Sequence, residues 1–105
     1  MKSTGARDLY LELDRLVGRI KEDPSVKLVV LFGSLARGDV REKSDIDLIV
    51  VKETDEKFLD RLDEFYEDAR WAMDILVYTP EEFEWMKERP FIKRALLEGR
   101  ILHEA

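Results

Sequence analysis

Three short apolar runs constrain the fold of this 105-residue chain most strongly. They are VKLVVLF at Val26–Phe32, DIDLIVV at Asp45–Val51 and AMDILVY at Ala72–Tyr78. Runs of this length that are rich in valine, isoleucine and leucine are typical of buried strands. The sequence therefore predicts a sheet of at least three strands, which the remaining segments must cover with helices.

Helical periodicity appears before the first of these runs and again after the second. Leu9–Ile20 places apolar side chains three or four positions apart, which predicts an amphipathic helix that ends before Pro24. Phe58–Ala69 shows the same spacing and predicts a second amphipathic helix. Between the first two runs, GSLARG at residues 33–38 predicts a turn that can open a short helix.

The last third of the chain predicts further helices and an edge strand. The Thr79–Glu82 stretch is a capping box with proline at the first helical position, so a helix should begin there. Pro90 should break or restart this helix, Gly99 should end it, and Arg100–Glu104 can add a short edge strand. The predicted fold class is therefore α/β (α+β), a mixed sheet of three to four strands backed by helices, in one domain spanning residues 1–105.

Composition narrows the function classes. The chain carries 24 acidic and 18 basic residues, and this acidic surplus disfavours a nucleic-acid partner because phosphate neutralisation needs basic side chains. It has no cysteine, which excludes disulfides and thiolate metal sites. We find no signal-peptide pattern and no apolar run long enough to cross a bilayer, so we expect a cytoplasmic protein with no membrane partner.

Asp45 and Asp47 are unusual at the start of a buried run. The two-residue period of a strand puts both carboxylates on one face, with Ile46 on the other. Carboxylates this close raise each other's pKa, and a bound divalent cation would remove the conflict. Oxygen ligands favour magnesium, with manganese as an alternative. Taken alone, the DID sequence favours a solvated strand end without a function, because short DxD matches are common.

Gly33 and Ser34 add a second kind of chemistry. Glycine at the exit of a strand lets the backbone approach a ligand, and the serine hydroxyl and following amides can face an anion. Gly-Ser by itself is usually only a turn, and GSLARG lacks the Lys-Ser/Thr ending of a Walker A loop. If the first two strands are neighbours, however, a phosphate-binding turn and a metal-binding pair lie at the same end of the sheet.

Two further residues are candidates for this site. Asp74 interrupts the third apolar run and is a candidate third metal ligand, since two-metal phosphoryl chemistry needs an acid for the ion that activates the attacking hydroxyl. Its alternative interpretation is an acid at a frayed strand start. Arg37 can contact phosphate, because guanidinium matches phosphate geometry, or can be a solvated turn residue.

The spacing of these residues resembles a known signature. Gly33-Ser34, ten residues at 35–44 and then Asp45-Ile46-Asp47 resemble the GS-x10-DxD motif of the nucleotidyltransferase superfamily. The stretch FGSLARGDVREKSDIDLIVV is similar to the minimal nucleotidyltransferase family. The motif covers about a fifth of the chain, and with Asp74 and the order of elements the resemblance extends over nearly all of it.

The resemblance implies a DNA polymerase β-like fold and transfer of a nucleoside monophosphate from a nucleoside triphosphate, usually ATP, to an acceptor hydroxyl. Gly33 and Ser34 would hold the β- and γ-phosphates, Asp45 and Asp47 would bind two Mg²⁺ ions, and Asp74 would ligate the catalytic ion. Many such proteins are antitoxins that adenylylate a tyrosine of a HEPN-domain partner, which this resemblance makes the expected partner.

Other functions stay open at this point. A binding module that neutralises a partner by contact alone fits the small size of the chain. Transfer to RNA or to a small molecule is a third possibility, although relatives of that kind generally carry an additional domain for the acceptor. A homo-oligomer or a partner subunit could supply the missing surface.

Several aromatic and apolar residues have two interpretations as well. Four aromatic residues could stack on a base, but their spacing favours the core: Tyr66, Trp71, Tyr78 and Trp85. Four residues could form an exposed stripe for a partner helix, but burial against the sheet is favoured: Phe91, Ile92, Ala95 and Leu96. His103 is expected on the surface or on the edge strand.

Overall fold

The computed structural model describes residues 6–39, 45–67 and 71–105. Its elements in chain order are α1 (Ala6–Ile20), β1 (Val26–Phe32), α2 (Gly33–Arg37), β2 (Ile46–Lys52), a 3₁₀ turn (Asp60–Leu62), α3 (Asp63–Tyr66), β3 (Met73–Tyr78), α4 (Pro80–Met86), α5 (Pro90–Glu98) and β4 (Arg100–Glu104). The predicted mixed fold is confirmed, with four strands. None of the helices in the described segments is long and apolar enough to cross a membrane.

The four strands form one sheet in the order β3-β2-β1-β4. β1 is antiparallel to both β2 and β4, whereas β2 and β3 run parallel. The predicted edge strand is confirmed as β4, with His103 opposite Val29 of β1. β2 and β3 each begin one residue later than predicted, at Ile46 and Met73, which leaves Asp45 just outside the sheet.

Both faces of the central strands are buried, which explains why their sequences are continuous apolar runs rather than alternating ones. One face packs against α1 through Val29, Leu31, Leu48, Val50, Ile75 and Val77. The opposite face packs against α5 through Val30, Phe32, Ile49, Val51 and Tyr78. Burial of each such side chain contributes about 1.5–3 kcal/mol, so the core fixes the register of the strands.

The predicted capping box at the start of α4 is confirmed. The Thr79 Oγ1 atom accepts a hydrogen bond from the Glu82 backbone N–H at 3.1 Å, and Glu82 Oε1 accepts one from the Thr79 N–H at 3.0 Å. Pro90 restarts the chain as the first residue of α5, and Gly99 follows its last residue, as predicted.

The predicted single helix over Phe58–Ala69 is wrong. The chain forms a 3₁₀ turn and then the one-turn helix α3, and Ala69 lies outside the described residues. Within this segment Arg61 is only 5% exposed, at a position on the predicted apolar face. Its guanidinium donates to the carbonyl oxygens of Glu56 and Val77, at 2.8 and 3.1 Å, and pairs with Glu82 at 2.6 Å.

The predicted burial of the aromatic residues holds only in part. Tyr78 is buried and Trp71 packs against the core, as predicted. Trp85 is 68% exposed and Tyr66 is 37% exposed, so the core assignment is wrong for Trp85 and only half right for Tyr66. No residue of α4 is fully buried, and the Arg89 guanidinium lies 5.1 Å from the centre of the Trp85 ring.

The apolar residues of α5 also divide between core and surface. Ile92 and Ala95 are buried against the sheet, as predicted, and Leu96 is partly buried. Phe91 is 63% exposed, so its predicted burial is wrong. Its ring meets the Phe32 ring edge-on at 6.0 Å, and most of its surface stays in contact with solvent.

Ion pairs connect the C-terminal end of β2 to neighbouring segments. Lys52 is buried, and its Nζ atom lies 3.0 Å from Asp23 Oδ2 and 2.6 Å from Glu64 Oε1. The two carboxylates come from the turn after α1 and from α3. The ion pairs therefore join three segments at the end of the sheet where β2 finishes.

Candidate active site

The Gly-Ser turn and the aspartate pair meet at one end of the sheet. Phe32, the last residue of β1, lies opposite Asp47 in the antiparallel register of β1 and β2. Gly33 and Ser34 therefore emerge beside the start of β2. This pairing confirms the expectation that the two strands are neighbours. The side chains buried on both faces of the sheet fix their register.

Gly33 is in direct contact with Asp47. Its φ of +73° lies in the left-handed region that glycine adopts most readily. A Cβ atom at this position would overlap Asp47 Oδ2 and lie 3.0 Å from Asp47 Cγ. Glycine is thus required twice, for its backbone conformation and to leave space for the carboxylate.

The turn after Gly33 is held from both sides. Gly38 caps the end of α2, and the Asp39 N–H donates to the Ser34 carbonyl oxygen at 2.9 Å. From α1, the Tyr10 hydroxyl donates to the Leu35 carbonyl oxygen at 3.1 Å. Ser34 stays partly exposed, so its hydroxyl is accessible in a turn with a fixed backbone.

Asp74 joins the two motif aspartates. β3 is parallel to β2, and Asp74 lies opposite Asp47 in their register. Because the strands run in the same direction from the same end, both carboxylates project from one face of the sheet. Asp45, immediately before β2, is exposed, as is Asp74, whereas Asp47 is partly buried. The structure thus brings together all three predicted acids.

Asp47 is the electrostatic centre of this cluster. Burial raises the pKa of its carboxyl to about 6, and the charges of Asp74 and Asp45 act in the same direction, whereas Arg37 acts against them. Across residues 6–39, 45–67 and 71–105, no basic side chain lies within ion-pair distance of Asp47. Its charge is thus only weakly compensated by these parts of the protein.

A cleft beside Gly33 contains two arginines. Arg37 Nη1 lies 3.8 Å from Glu98 Oε1, and Arg94 Nε lies 3.7 Å from Glu98 Oε2. The cleft has a volume of about 600 Å³, and it is lined by Phe32, Gly33, Arg37, Phe91, Arg94, Ala95 and Glu98. Arg94 was not predicted from the sequence, because the four-residue spacing to Glu98 does not reveal that α5 lies beside α2.

The comparison with family models decides the family. The model of the nucleotidyltransferase domain matches residues 13–103, which include every site residue described above. The chain belongs to this family and is a nucleotidyltransferase. It is 33% identical over 79 residues to a Methanocaldococcus jannaschii protein named a putative protein adenylyltransferase, across 74% of this chain and 79% of that protein.

Solved structures share the fold of this nucleotidyltransferase. A putative nucleotidyltransferase from Sulfolobus solfataricus matches it with a TM-score of 0.62 at 24% identity, over 98% of this chain and 90% of that one. The structure described as a toxin-antitoxin with AMP-PNP matches with a TM-score of 0.57 at 16% identity, over 89% of this chain and 71% of that one. At these identities the similarity establishes the fold, as predicted.

The acidic cluster of the nucleotidyltransferase has the chemistry of a divalent-cation site. It offers oxygen ligands alone, concentrates negative charge and contains a partly buried carboxylate with a raised pKa, all of which suit a hard cation such as Mg²⁺. Within the described segments, no three acidic or histidine side chains are already arranged around one point. The three aspartates therefore fit a hard cation by their charge and by the type of their donor atoms.

Proposed function

We propose that this nucleotidyltransferase transfers AMP from ATP to a hydroxyl group of a protein and releases pyrophosphate, with two Mg²⁺ ions required. The observation that carries the proposal is the position of Asp47, which lies against the Gly33 backbone and in register with Asp74. A triphosphate on the Gly-Ser turn would then have its α-phosphorus close to all three acids.

Each residue of the site has a role in this reaction. Gly33 and Ser34 hold the β- and γ-phosphates, and Arg37 adds a guanidinium contact. Asp45 and Asp47 would hold the two ions, and Asp74 would add a ligand to the catalytic one. When bound, these ions stabilise the negative charge that develops on the attacking and leaving oxygens.

The reaction is an in-line displacement at the α-phosphorus. The acceptor oxygen forms a bond to this phosphorus while the bond to the bridging oxygen of the leaving pyrophosphate breaks. Asp74, which is exposed at the mouth of the cluster, receives the proton of the acceptor hydroxyl. The rigid turn and the paired strands position the groups, and such positioning accounts for a large part of the rate in reactions of this kind.

The proposed acceptor is a tyrosine of a HEPN-domain toxin, for which this protein is the antitoxin. The minimal nucleotidyltransferase motif implies such a partner. The M. jannaschii relative bears the name of a protein adenylyltransferase, and a structural neighbour is a toxin-antitoxin with AMP-PNP, which supports the proposal.

Labelled ATP tests the proposed reaction. The protein is incubated with Mg²⁺ and the product of the neighbouring gene, with ATP labelled at either the α- or the γ-phosphate. We expect label on the partner from α-labelled ATP only, because nucleotidyl transfer keeps the α-phosphate and releases the other two. Label from γ-labelled ATP would instead identify a kinase, and no label from either would contradict the proposal.

Two variants connect this activity to the site. Asp47→Asn should abolish transfer, whereas Asp55→Asn, a matched change at an exposed aspartate outside the cluster, should leave it intact. EDTA should stop transfer by the wild-type protein, and Mg²⁺ or Mn²⁺ should restore it. Equal transfer by Asp47→Asn and wild type would refute the assignment of the site.

Exposed apolar side chains favour one alternative, a module that neutralises its partner by contact alone. On α4 and α5, Trp85, Phe91 and Leu97 are 68%, 63% and 81% exposed. This alternative predicts that an Asp45→Asn/Asp47→Asn double variant still protects cells from the toxin. Our proposal predicts loss of protection together with the loss of transfer.

A further inference from the structure

β3 is at one edge of the sheet, and no strand of the described residues pairs with its outward backbone groups. The Tyr66 hydroxyl occupies this edge beside Asp74. It donates to the Met73 carbonyl oxygen at 3.0 Å and accepts from the Ile75 N–H, also at 3.0 Å. One side chain thus makes the two hydrogen bonds that a residue of an additional strand would make.

These bonds hold the backbone on both sides of Asp74. The Ile46 N–H donates to the Ala72 carbonyl oxygen at 3.0 Å, which ties this part of β3 to β2. The backbone N–H and C=O groups of successive residues point to opposite edges of a strand. Those of Asp74 therefore point toward β2, whereas the Met73 carbonyl and the Ile75 N–H point outward to Tyr66. The start of β3 therefore makes hydrogen bonds along both of its edges, although the Asp74 side chain remains exposed.

We propose that Tyr66 is a positioning residue for Asp74, and this rests on the proposed role of Asp74 as a metal ligand. The hydroxyl holds the Met73 carbonyl and the Ile75 N–H in place, so that the backbone that carries the Asp74 carboxylate stays in register with Asp47. Tyrosine is suited to this place because one hydroxyl both donates and accepts. Phenylalanine would fill the same volume and lose both bonds.

Tyr66 is itself held firmly by its own helix. Phe65, the preceding residue, is buried in the core, and Glu64 pairs with Lys52. These contacts anchor α3, and the Tyr66 hydroxyl therefore contacts β3 from a helix with a fixed position. Because Tyr66 is 37% exposed, water can replace its hydroxyl in a phenylalanine variant. The expected consequence is greater mobility of β3 at Asp74 rather than unfolding of the protein.

The test measures metal binding without an acceptor. Mn²⁺ is titrated into the protein with α,β-methylene-ATP, which cannot transfer its nucleotide, and the bound ion is followed by calorimetry. Tyr66→Phe should bind Mn²⁺ about tenfold more weakly, as loss of two ordinary hydrogen bonds allows. Amide exchange of Ile75 should become faster in the same variant, because its acceptor is removed.

Thr79→Ala is the control for a purely structural effect. It removes the cap of α4 at the opposite end of β3, so it should lower the unfolding temperature and leave Mn²⁺ binding unchanged. If both variants weaken Mn²⁺ binding equally, or if Tyr66→Phe binds it like wild type, Tyr66 serves stability alone and the proposal is wrong. If the wild-type protein binds no Mn²⁺, the proposed metal site fails, and with it any role of Tyr66 there.

Discussion

The two ends of β2 show opposite electrostatic arrangements. At its start, Asp47 is partly buried next to two other aspartates, and burial raises its pKa to about 6. At its end, Lys52 is buried between two carboxylates; burial opposes its charge, but hydrogen bonds with Glu64 and Asp23 raise its pKa. The pKa of Asp23 falls to about 2, mainly through hydrogen bonds from Ser25, with Lys52 adding to the effect.

The difference separates stability from reactivity along a single strand. At the Lys52 end each buried charge has partners within the protein, so the ion pairs hold the fold together. At the Asp47 end the like charges oppose folding, and a bound cation would relieve them. Uncompensated charge of this kind is typical of functional sites.

Asp47→Asn should give the largest effect and should change activity and stability in opposite directions. Nucleotidyl transfer should fall by at least about 10²-fold, the usual loss when a group that stabilises transition-state charge is removed. The metal-free protein should become more stable by about 1 kcal/mol at neutral pH, a value discounted for solvent screening, because the repulsion disappears. Urea unfolding in EDTA and an α-labelled ATP assay check the two results. A variant that loses both activity and stability would contradict the comparison.

Lys52→Met should show the opposite pattern. It leaves two carboxylates without their shared cation and should cost about 2 kcal/mol of unfolding free energy, less than for a fully buried pair because both acids reach solvent. Transfer below the unfolding temperature should stay within about twofold, since no site residue is touched. Lys87→Met is the matched control: its pairing with Glu84 is on the surface, so its loss should leave the free energy of unfolding almost unchanged. Equal costs for the two variants would remove the distinction between the ends.

Gly33→Ala sharpens the comparison, because it disturbs the acidic end without altering a charge. Both Gly33 and Gly38 have positive φ, so alanine at either should cost about 1–2 kcal/mol. Only at Gly33 does the new methyl group meet Asp47, and open space surrounds Gly38. Transfer should therefore fall at least about tenfold in Gly33→Ala alone, as displaced catalytic groups cause. Similar activities of the two variants would show that the contact with Asp47 is unimportant.

The pH dependence of stability should reveal both ends in one metal-free protein. The Asp47 pKa is raised from 3.8 to about 6, so its contribution is present below about pH 4 and lost as the pH rises through 6. The Asp23 pKa is lowered to about 2, so its contribution is present above about pH 4 and lost as the pH falls through 2. The free energy of unfolding, measured in urea at a series of pH values, should fall both as the pH rises through 6 and as it falls through 2. Asp47→Asn should flatten the fall at the higher pH and Asp23→Asn the one at the lower pH, and any other assignment would contradict the pKa directions.

The smallest expected effect concerns Glu98, the acid shared by Arg37 and Arg94. Glu98→Gln removes the competing carboxylate, so α,β-methylene-ATP should bind about threefold more tightly, the scale of an exposed ion pair. Calorimetry measures this, with Glu104→Gln on the exposed edge strand as the control. Unchanged or weaker binding in Glu98→Gln would exclude these arginines from phosphate binding.

Much of the fold, and the meeting of the Gly-Ser turn with the acids at one end of the sheet, could be predicted from the sequence because both depend on local patterns. Apolar runs identify strands, and a strand that ends just before Gly33 next to one that starts just after Asp45 leaves few places where Gly33 and Asp45 can meet. Asp74 was recognisable as an acid in an otherwise apolar run. The parallel register of β3 then places it opposite Asp47.

What could not be predicted depends on contacts between distant segments. Arg61 and Lys52 read as ordinary surface charges, since nothing local shows that Glu82, or Asp23 and Glu64, will come to meet them. Tyr66 falls on an apolar helical pattern, whereas its function depends on the backbone of β3. Charged and polar side chains are hard to predict because their partners, rather than their own pattern, decide whether they are buried.

Parallel pairing of β2 with β3 makes the acidic cluster a product of long-range folding. The β1–β2 contact closes a modest loop, but Asp74 can reach Asp47 only after the chain has returned along the length of the sheet. Closing this longer loop costs more conformational entropy than closing the β1–β2 loop, and contacts between distant segments generally form later. A nascent chain therefore has its Gly-Ser turn and first two acids before its third, and the acidic cluster is complete only once β3 has paired with β2.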